Sequence, residues 1–168
     1  STPSSERSRR RAHAEQQWLD FAKASGKRVE IFRLAGIYGP GSSAIDGLKT
    51  GTTRSVVKKD QVFNRIHVED IARTVIAAFS RPHLHAIYNV TDDEPAPPQD
   101  VNAYAAKLLN LPPPKEIAYE EAQLSEMGRS FYSENKRVHN DRIKNDLGVK
   151  LAFPTYREGL AAIAKGAV

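Results

Sequence analysis

Apolar positions along the chain follow two rhythms, and the alternation between them lays out the elements. Ala14, Trp18, Phe21 and Ala22 fall at i, i+4, i+7 and i+8, which predicts a helix stopping before Gly26. Val29–Leu34 is then a short apolar strand that runs into the glycine-rich stretch Gly36–Gly41, read as a turn. Residues 42–62 are polar and interrupted by glycine, which predicts a partly helical loop region with a short β-like Val56-Val57. Phe63–Val68 reads as a strand. It feeds a helix whose Val68, Ile71, Ala72, Val75, Ile76 and Phe79 trace one apolar stripe, halted before Pro82. Ala86–Val90 is a further strand, and Thr91–Pro98 a turn holding three prolines.

Beyond Pro98 the helical rhythm returns over Gln99–Asn110, through Val101, Tyr104, Ala105, Leu108 and Leu109, of which Tyr104 and the Leu108-Leu109 pair read as core. Pro112–Pro114 end that helix and precede a short extended Glu116–Tyr119. Asn140 is placed to cap a helix through Leu147 that Gly148 closes. Pro154 introduces a last helix with Tyr156, Leu160 and Ile163 on one face. Strands alternating with helices indicate an α/β fold, followed by a smaller, loop-rich α+β portion.

Composition narrows the function classes. The chain has no cysteine, which excludes disulfides, thiolate catalysis and thiolate-bound metal, and fits a reducing, cytoplasmic setting. No apolar run approaches the length of a membrane span, and no secretory signal pattern opens the chain. Of the net charge of +5, residues 1–11 contribute +3 through four Arg and one Glu. The basicity belongs to one arm without interleaved aromatics, so a nucleic-acid partner is not expected. His83 and His85 share a face if extended, but no third ligand stands near them in sequence and no metal site is expected. Asp92-Asp93-Glu94, in the proline-rich turn, reads as solvated.

A strand delivering backbone into a glycine-rich stretch is how a parallel sheet presents a ligand at its carboxyl edge. The segments AEQQWL, RVEIFRLAGIYGPG, FNRIHVEDIA, YNVTDDEP and NDRIKNDLGVKLAFPTYREGL, in this order, resemble the carboxyl-terminal half of the extended short-chain dehydrogenase/reductases. These are the NAD-dependent epimerase/dehydratases. The likeness is strongest to atypical bacterial members described as nucleoside-diphosphate-sugar epimerase-like. It implies part of a Rossmann-like, doubly wound parallel sheet binding NAD or NADP, with a small α+β substrate domain. Residues 1–90 would belong to the dinucleotide domain, interrupted by a substrate-domain segment at about 42–62, and residues 91–168 mainly to the substrate domain. The amino-terminal strands and Gly-rich loop of the family are absent from this sequence. The expected partners are therefore a small-molecule substrate and either the missing half or a second copy of the chain.

Carried over residue by residue, the resemblance places Glu15 at a frequent family Glu, Arg11 at the family Lys and Arg7 at the family Tyr. Arg11 can still bond a ribose hydroxyl. Arg7 cannot serve as a general acid, because guanidinium keeps its proton. The competing reading makes residues 4–11 a solvated terminus. The resemblance further sets Ala35, Gly36, Ile37 and Tyr38 against the nicotinamide and substrate. It sets Phe63 where sugar-nucleotide epimerases carry a diphosphate-binding Arg, leaving Arg65, two residues before His67, as a replacement cation. Arg65 and His67 are the substrate candidates, although a histidine that packs a strand end and bonds backbone is the plainer reading of His67. Asp70 reads as an N-terminal helix charge. Arg129, Tyr132 and Arg137 fall where the family varies its substrate contacts. The implied activity is epimerase, dehydratase or reductase chemistry on a sugar-like or small carbonyl substrate, absent from the isolated chain. The alternative is a non-catalytic NAD(P)-binding protein that lacks the Tyr/Lys pair.

Overall fold

The computed structural model describes residues 5–81 and 87–166 of the chain. His83, His85, Pro82 and the start of the strand expected from Ala86 lie outside the described residues. Helix α1 (Glu6–Ser25) is followed by strands β1 (Ile31–Leu34) and β2 (Gly36–Tyr38), then helix α2 (Ala44–Lys49) and strand β3 (Ser55–Val57). Strand β4 (Arg65–His67) leads directly into α3 (Val68–Phe79), followed by β5 (Ile87–Val90) and α4 (Pro98–Leu108). Strand β6 (Glu116–Ala118) and helices α5 (Glu126–Tyr132), α6 (Asp141–Asn145) and α7 (Tyr156–Lys165) complete the described elements.

The strand pairs are parallel, β1 with β5, β2 with β4 and β3 with β6. The stretch expected to turn at Gly36 instead continues as a strand and changes partner. Residues 31–34 pair with 87–90, the Ala35 amide still donates to the Val90 carbonyl, and the Gly36 amide then donates to the Asn64 carbonyl. From Gly36 onward the chain runs beside β4, with Gly36 opposite Arg65 and Tyr38 opposite His67. A Cβ on Gly36 would stand 3.2 Å from the Asn64 carbonyl oxygen, so this glycine serves close strand approach. The turn itself comes later, across Gly39 and Ser42, whose backbones bond each other.

Three further differences from the sequence reading have local causes. Helix α1 begins well before its first apolar position, because Ser5 and Ser8 form a reciprocal cap and Glu6 pairs with Arg10 one turn on. Residues 6–11, read as part of a solvated terminus, are thus helical, although their side chains stay largely in solvent. Val68 opens α3 instead of closing β4, since the His67 imidazole Nδ1 accepts the Glu69 amide at 3.3 Å and caps the helix there. On α3 the expected apolar stripe is not the buried face. Asp70, Thr74 and Ala78 are buried, whereas Val68, Ile76 and Phe79 are exposed. Small and hydrogen-bonded groups let this helix lie close. Asp70 accepts the Ala152 amide at 2.7 Å and the Phe153 amide at 3.0 Å, and Thr74 donates to the Asp70 carbonyl at 2.7 Å.

Two apolar cores hold the chain together. One gathers Ile66, Ala78, Tyr88 and Val90 with Ile143, Leu147 and Val149, so residues from α6 and the loop after it complete the β4–β5 side. The other joins Tyr38 and Ile45 to Val101, Ala105, Tyr156, Leu160 and Ile163, where α2, α4 and α7 meet the end of β2. Asn140 precedes α6 but does not cap it with its side chain. Its amide donates to the Thr91 carbonyl at 2.8 Å and to Asp93 at 2.6 Å.

Candidate functional site

Two recesses flank the partner-switching strand, and the sequence candidates divide between them. The first is an open cleft of about 520 Å³ between α1 and β1. Ser8, Arg11, Glu15 and Trp18 line it from the helix, Ile31–Leu34 from the strand, and Glu134 and Lys136 from below. Glu15 fixes the wall in place by taking the Arg33 guanidinium on both carboxylate oxygens, each 3.1 Å from Nε. Arg11 is exposed and has no hydrogen bond or ion pair among the described residues. Arg7 stands one turn back, on a shallower surface shared with Glu6, Arg10, Arg11 and Ala14. Downstream of the Leu34 wall, Ala35 is half-buried and Gly36 and Ile37 are exposed. Tyr38 turns into the core instead.

The second recess is smaller, about 190 Å³, and lies between α2, α4 and α7. Tyr38, Arg65, Asn102 and Tyr156 supply its polar groups, and Ala44, Pro98, Val101 and Leu160 its apolar walls. Arg65 reaches it because β4 side chains alternate in direction, so its neighbour Ile66 enters the other core. The guanidinium is anchored through Nη1, which donates to the Phe63 carbonyl at 2.9 Å and the Ala96 carbonyl at 3.0 Å. No carboxylate pairs with it among the described residues. Burial pulls the Arg65 pKa down, opposed chiefly by the Asp92 charge.

His67 is almost fully buried, with its ring 5.1 Å from that of Tyr38 and 4.1 Å from that of Phe153. One nitrogen caps α3, and the other, Nε2, is buried with no partner among the described residues. Desolvation lowers its pKa, which favours the neutral imidazole. Arg65 and His67 therefore lie on one strand but only Arg65 reaches the recess.

Sequence reading missed Asp92 and Tyr156. Asp92 is buried, not solvated, with one carboxylate oxygen unpartnered among the described residues and a pKa raised to about 7 mainly by burial. Its neighbours do meet solvent and make ion pairs, Asp93 with Lys144 at 2.5 Å and Glu94 with Arg157 at 2.9 Å. Tyr156 reads from its spacing as core. It is core, yet its hydroxyl makes no hydrogen bond to the described residues, which no spacing rule reveals. The Tyr38 hydroxyl is pushed up strongly by burial, so it stays protonated through the ordinary pH range.

Comparison with known proteins adds to this geometry. A structure of a functionally unknown conserved protein from Silicibacter pomeroyi shares 52% identity, with a TM-score of 0.88 over 99% of this chain and 57% of that one. The fold is Rossmann-like α/β. A 3-diazoavenalumate denitrifying reductase from Streptomyces is 30% identical over 141 residues, 77% of this chain and 45% of that protein. The dTDP-glucose 4,6-dehydratase of Bacillus anthracis, crystallised with NAD, has the same fold at 16% identity, with a TM-score of 0.73 over 98% of this chain and 52% of that one. A human epimerase family protein with NADPH does so at 19% identity, with a TM-score of 0.68 over 83% of this chain and 49% of that one. No family model matches the chain. The chain thus spans about half the length of these proteins. Among the described residues no helix is long and apolar enough to cross a membrane, and no cluster of three or more His, Asp or Glu is placed to hold a metal ion.

Proposed function

We propose that this chain carries the nicotinamide-facing and substrate-facing part of an NAD(P)-dependent oxidoreductase, epimerase or dehydratase. The single observation that carries the reading is the open cleft between α1 and β1, walled by Arg11 and Trp18, with exposed Gly36 two residues beyond its Leu34 wall. Its residues fit the nicotinamide–ribose end of a dinucleotide. Arg11 offers a fork of donors to ribose hydroxyls, Trp18 offers an apolar face, and backbone from Ala35 to Ile37 offers close approach. The relatives support the same reading, since proteins of this fold are crystallised with NAD or NADPH and a 30% identical one is a reductase. The dinucleotide, when bound, supplies hydride transfer. This chain's part is to hold the ribose, exclude water with Trp18 and Leu34, and present the substrate from the Arg65 side. A sugar-like or small carbonyl substrate suits that arrangement. Residues 1–90 act as the dinucleotide portion in this reading, and the α2, α4 and α7 region as the substrate portion.

The cleft needs a further wall. Trp18, Phe21, Leu34 and Ile37 are exposed beside a β1 strand that pairs on one edge among the described residues. Such an edge invites a strand from the remainder of a longer protein or from a second copy. The isolated chain is accordingly expected to be inactive.

A second reading has its own observation. The helix that walls the cleft offers Ser8, Arg11, Ala12, Ala14, Glu15 and Trp18 but no tyrosine or lysine, Ser8 is engaged in the helix cap, and Arg7 and Arg11 do not release protons near neutrality. This favours a non-catalytic NAD(P)-binding protein. One experiment separates the two. In a protein complete enough to bind NADPH, Arg11→Ala is expected to weaken binding by about 1–3 kcal/mol, as for a charged hydrogen bond left unmade. Turnover of any carbonyl substrate selects the enzyme reading. Unchanged NADPH affinity in the variant removes Arg11 from the site.

A further inference from the structure

We propose that the recess between α2, α4 and α7 is a binding site for a small carboxylate-bearing molecule with a compact apolar body. It is distinct from the cleft at α1.

Arg65 carries a charge that lacks an ion-pair counterpart among the described residues. A half-buried guanidinium is ordinarily matched by a carboxylate, because desolvation without pairing is costly. Arg65 is matched by two backbone carbonyls, both on Nη1, and by no ion pair among the described residues. Its Nε and Nη2 donors make no hydrogen bond to the described residues and are not sealed in the interior. Those two atoms are the donor pair that grips a carboxylate side-on. The acidic groups nearby form no ion pair with it among the described residues, although the Asp92 charge is felt there. Glu94 is held by Arg157 at 2.9 Å, and Asp92 takes the Glu94 amide on one oxygen, at 3.3 Å.

The remaining wall gives the ligand its class. The Tyr156 hydroxyl, without a hydrogen bond to described residues, is a second donor at the recess. Asn102 is held at its rim by donating to Ser55 Oγ at 3.0 Å. Ala44, Pro98, Val101 and Leu160 are apolar, so they pack an apolar body and leave the polar contacts to Arg65, Tyr156 and Asn102. At about 190 Å³ the space lies below the roughly 300–1,000 Å³ typical of drug-sized ligands. That size excludes a whole nucleotide sugar and admits a short or single-ring acid. Gly36 stands opposite Arg65 in the ladder, so the recess opens one strand away from backbone assigned above to the nicotinamide. Its use as the substrate site rests on that assignment, whereas carboxylate binding does not.

The probe is sodium benzoate, titrated into the 168-residue chain without any nucleotide and followed by heteronuclear NMR. Benzamide serves as the uncharged isostere. Benzoate is expected to give saturable shifts at Val101 and the Asn102 side-chain amide, with benzamide at least tenfold weaker. Arg65→Gln should lower benzoate affinity at least tenfold. Because Arg65 also ties two carbonyls, Tyr156→Phe provides the variant that keeps the fold, with an expected loss of severalfold. Equal binding of benzamide, no saturable shift in the millimolar range, shifts confined to Arg11 and Lys136, or indifference to Tyr156→Phe would each overturn the proposal. A separate NADPH titration reports on the cleft, so failure of one reading leaves the other standing.

Discussion

Helices α1 and α7 both carry apolar residues at helical spacing, both open with a reciprocal cap and both close at a left-handed glycine, yet they use these devices for opposite ends. Helix α7 buries Tyr156, Gly159, Leu160 and Ile163 in ten residues. Helix α1 is twice as long and buries nothing, leaving Trp18 59% exposed. It is held by its cap, its Glu6–Arg10 pair and the Glu15–Arg33 bridge. The contrast teaches that helix formation and helix burial are specified separately. Where caps and side-chain pairs suffice to form the helix, its apolar face is free to await another surface.

The sharpest test sets one side chain from each helix against the other. Leu160→Ala removes a buried side chain from the α2–α4–α7 core and should cost about 2–5 kcal/mol in urea unfolding. Trp18→Ala, a larger truncation, should cost the chain within about 0.5 kcal/mol. A comparable loss at Trp18 would mean that α1 is already covered in solution, which sedimentation would register as a dimer.

Buried charge distinguishes the two sides next. Asp92 on the core side has a native pKa of about 7, above that of the unfolded chain. The native state therefore holds the extra proton, and the stabilisation is complete below about pH 4 and lost as pH rises through about 7. Asp92→Asn should flatten that limb of the stability–pH curve by up to a few kcal/mol over the interval. Helix α1, by contrast, buries no residue. A curve unchanged by Asp92→Asn would show that water reaches the carboxylate.

Caps give the smallest and most local comparison. Thr155→Ala should lower global stability by about 1 kcal/mol, because α7 is part of the core. Ser5→Ala removes the same kind of bond from α1 but should only fray its first turns. Amide exchange at residues 6–10 would accelerate while the unfolding midpoint stays put. A shared shift in midpoint would join α1 to the cooperative unit.

How much of this was legible follows from what each signal encodes. The parallel α/β fold, α4 and α7 were readable because their apolar spacing is the spacing of their buried faces. Val56-Val57 and Glu116–Tyr119 were readable as extended segments, but their pairing is tertiary. Helix α3 misled because periodicity reports where the apolar groups are, not which face packs. Asp70 and Thr74 earn their burial through hydrogen bonds that lie more than 80 residues away in one case. Gly36 looked like a turn because a glycine needed for close approach and one needed for bending are the same letter. At the sites, Arg65 was legible as a cation on a strand. Its lack of a carboxylate, the open Tyr156 hydroxyl and the burial of Asp92 depend on which elements converge, and no local pattern carries that.

The partner exchange at Ala35 bears on the order in which the chain assembles. Residues 31–38 must close two loops, one of roughly 30 residues onto β4 and one of nearly twice that onto β5. Each doubling of a loop costs about 0.6 kcal/mol of chain entropy, so the β2–β4 contact has the entropic lead. Once Gly36 is seated against Asn64, the neighbouring segment is already pointed along the line that β5 will join. The longer search is thereby reduced to docking β5, with α3 in tow, against a strand held at one end. Pulse-labelled amides should accordingly show Tyr38 protected before Phe32, an order written into the chain by where one strand changes neighbours.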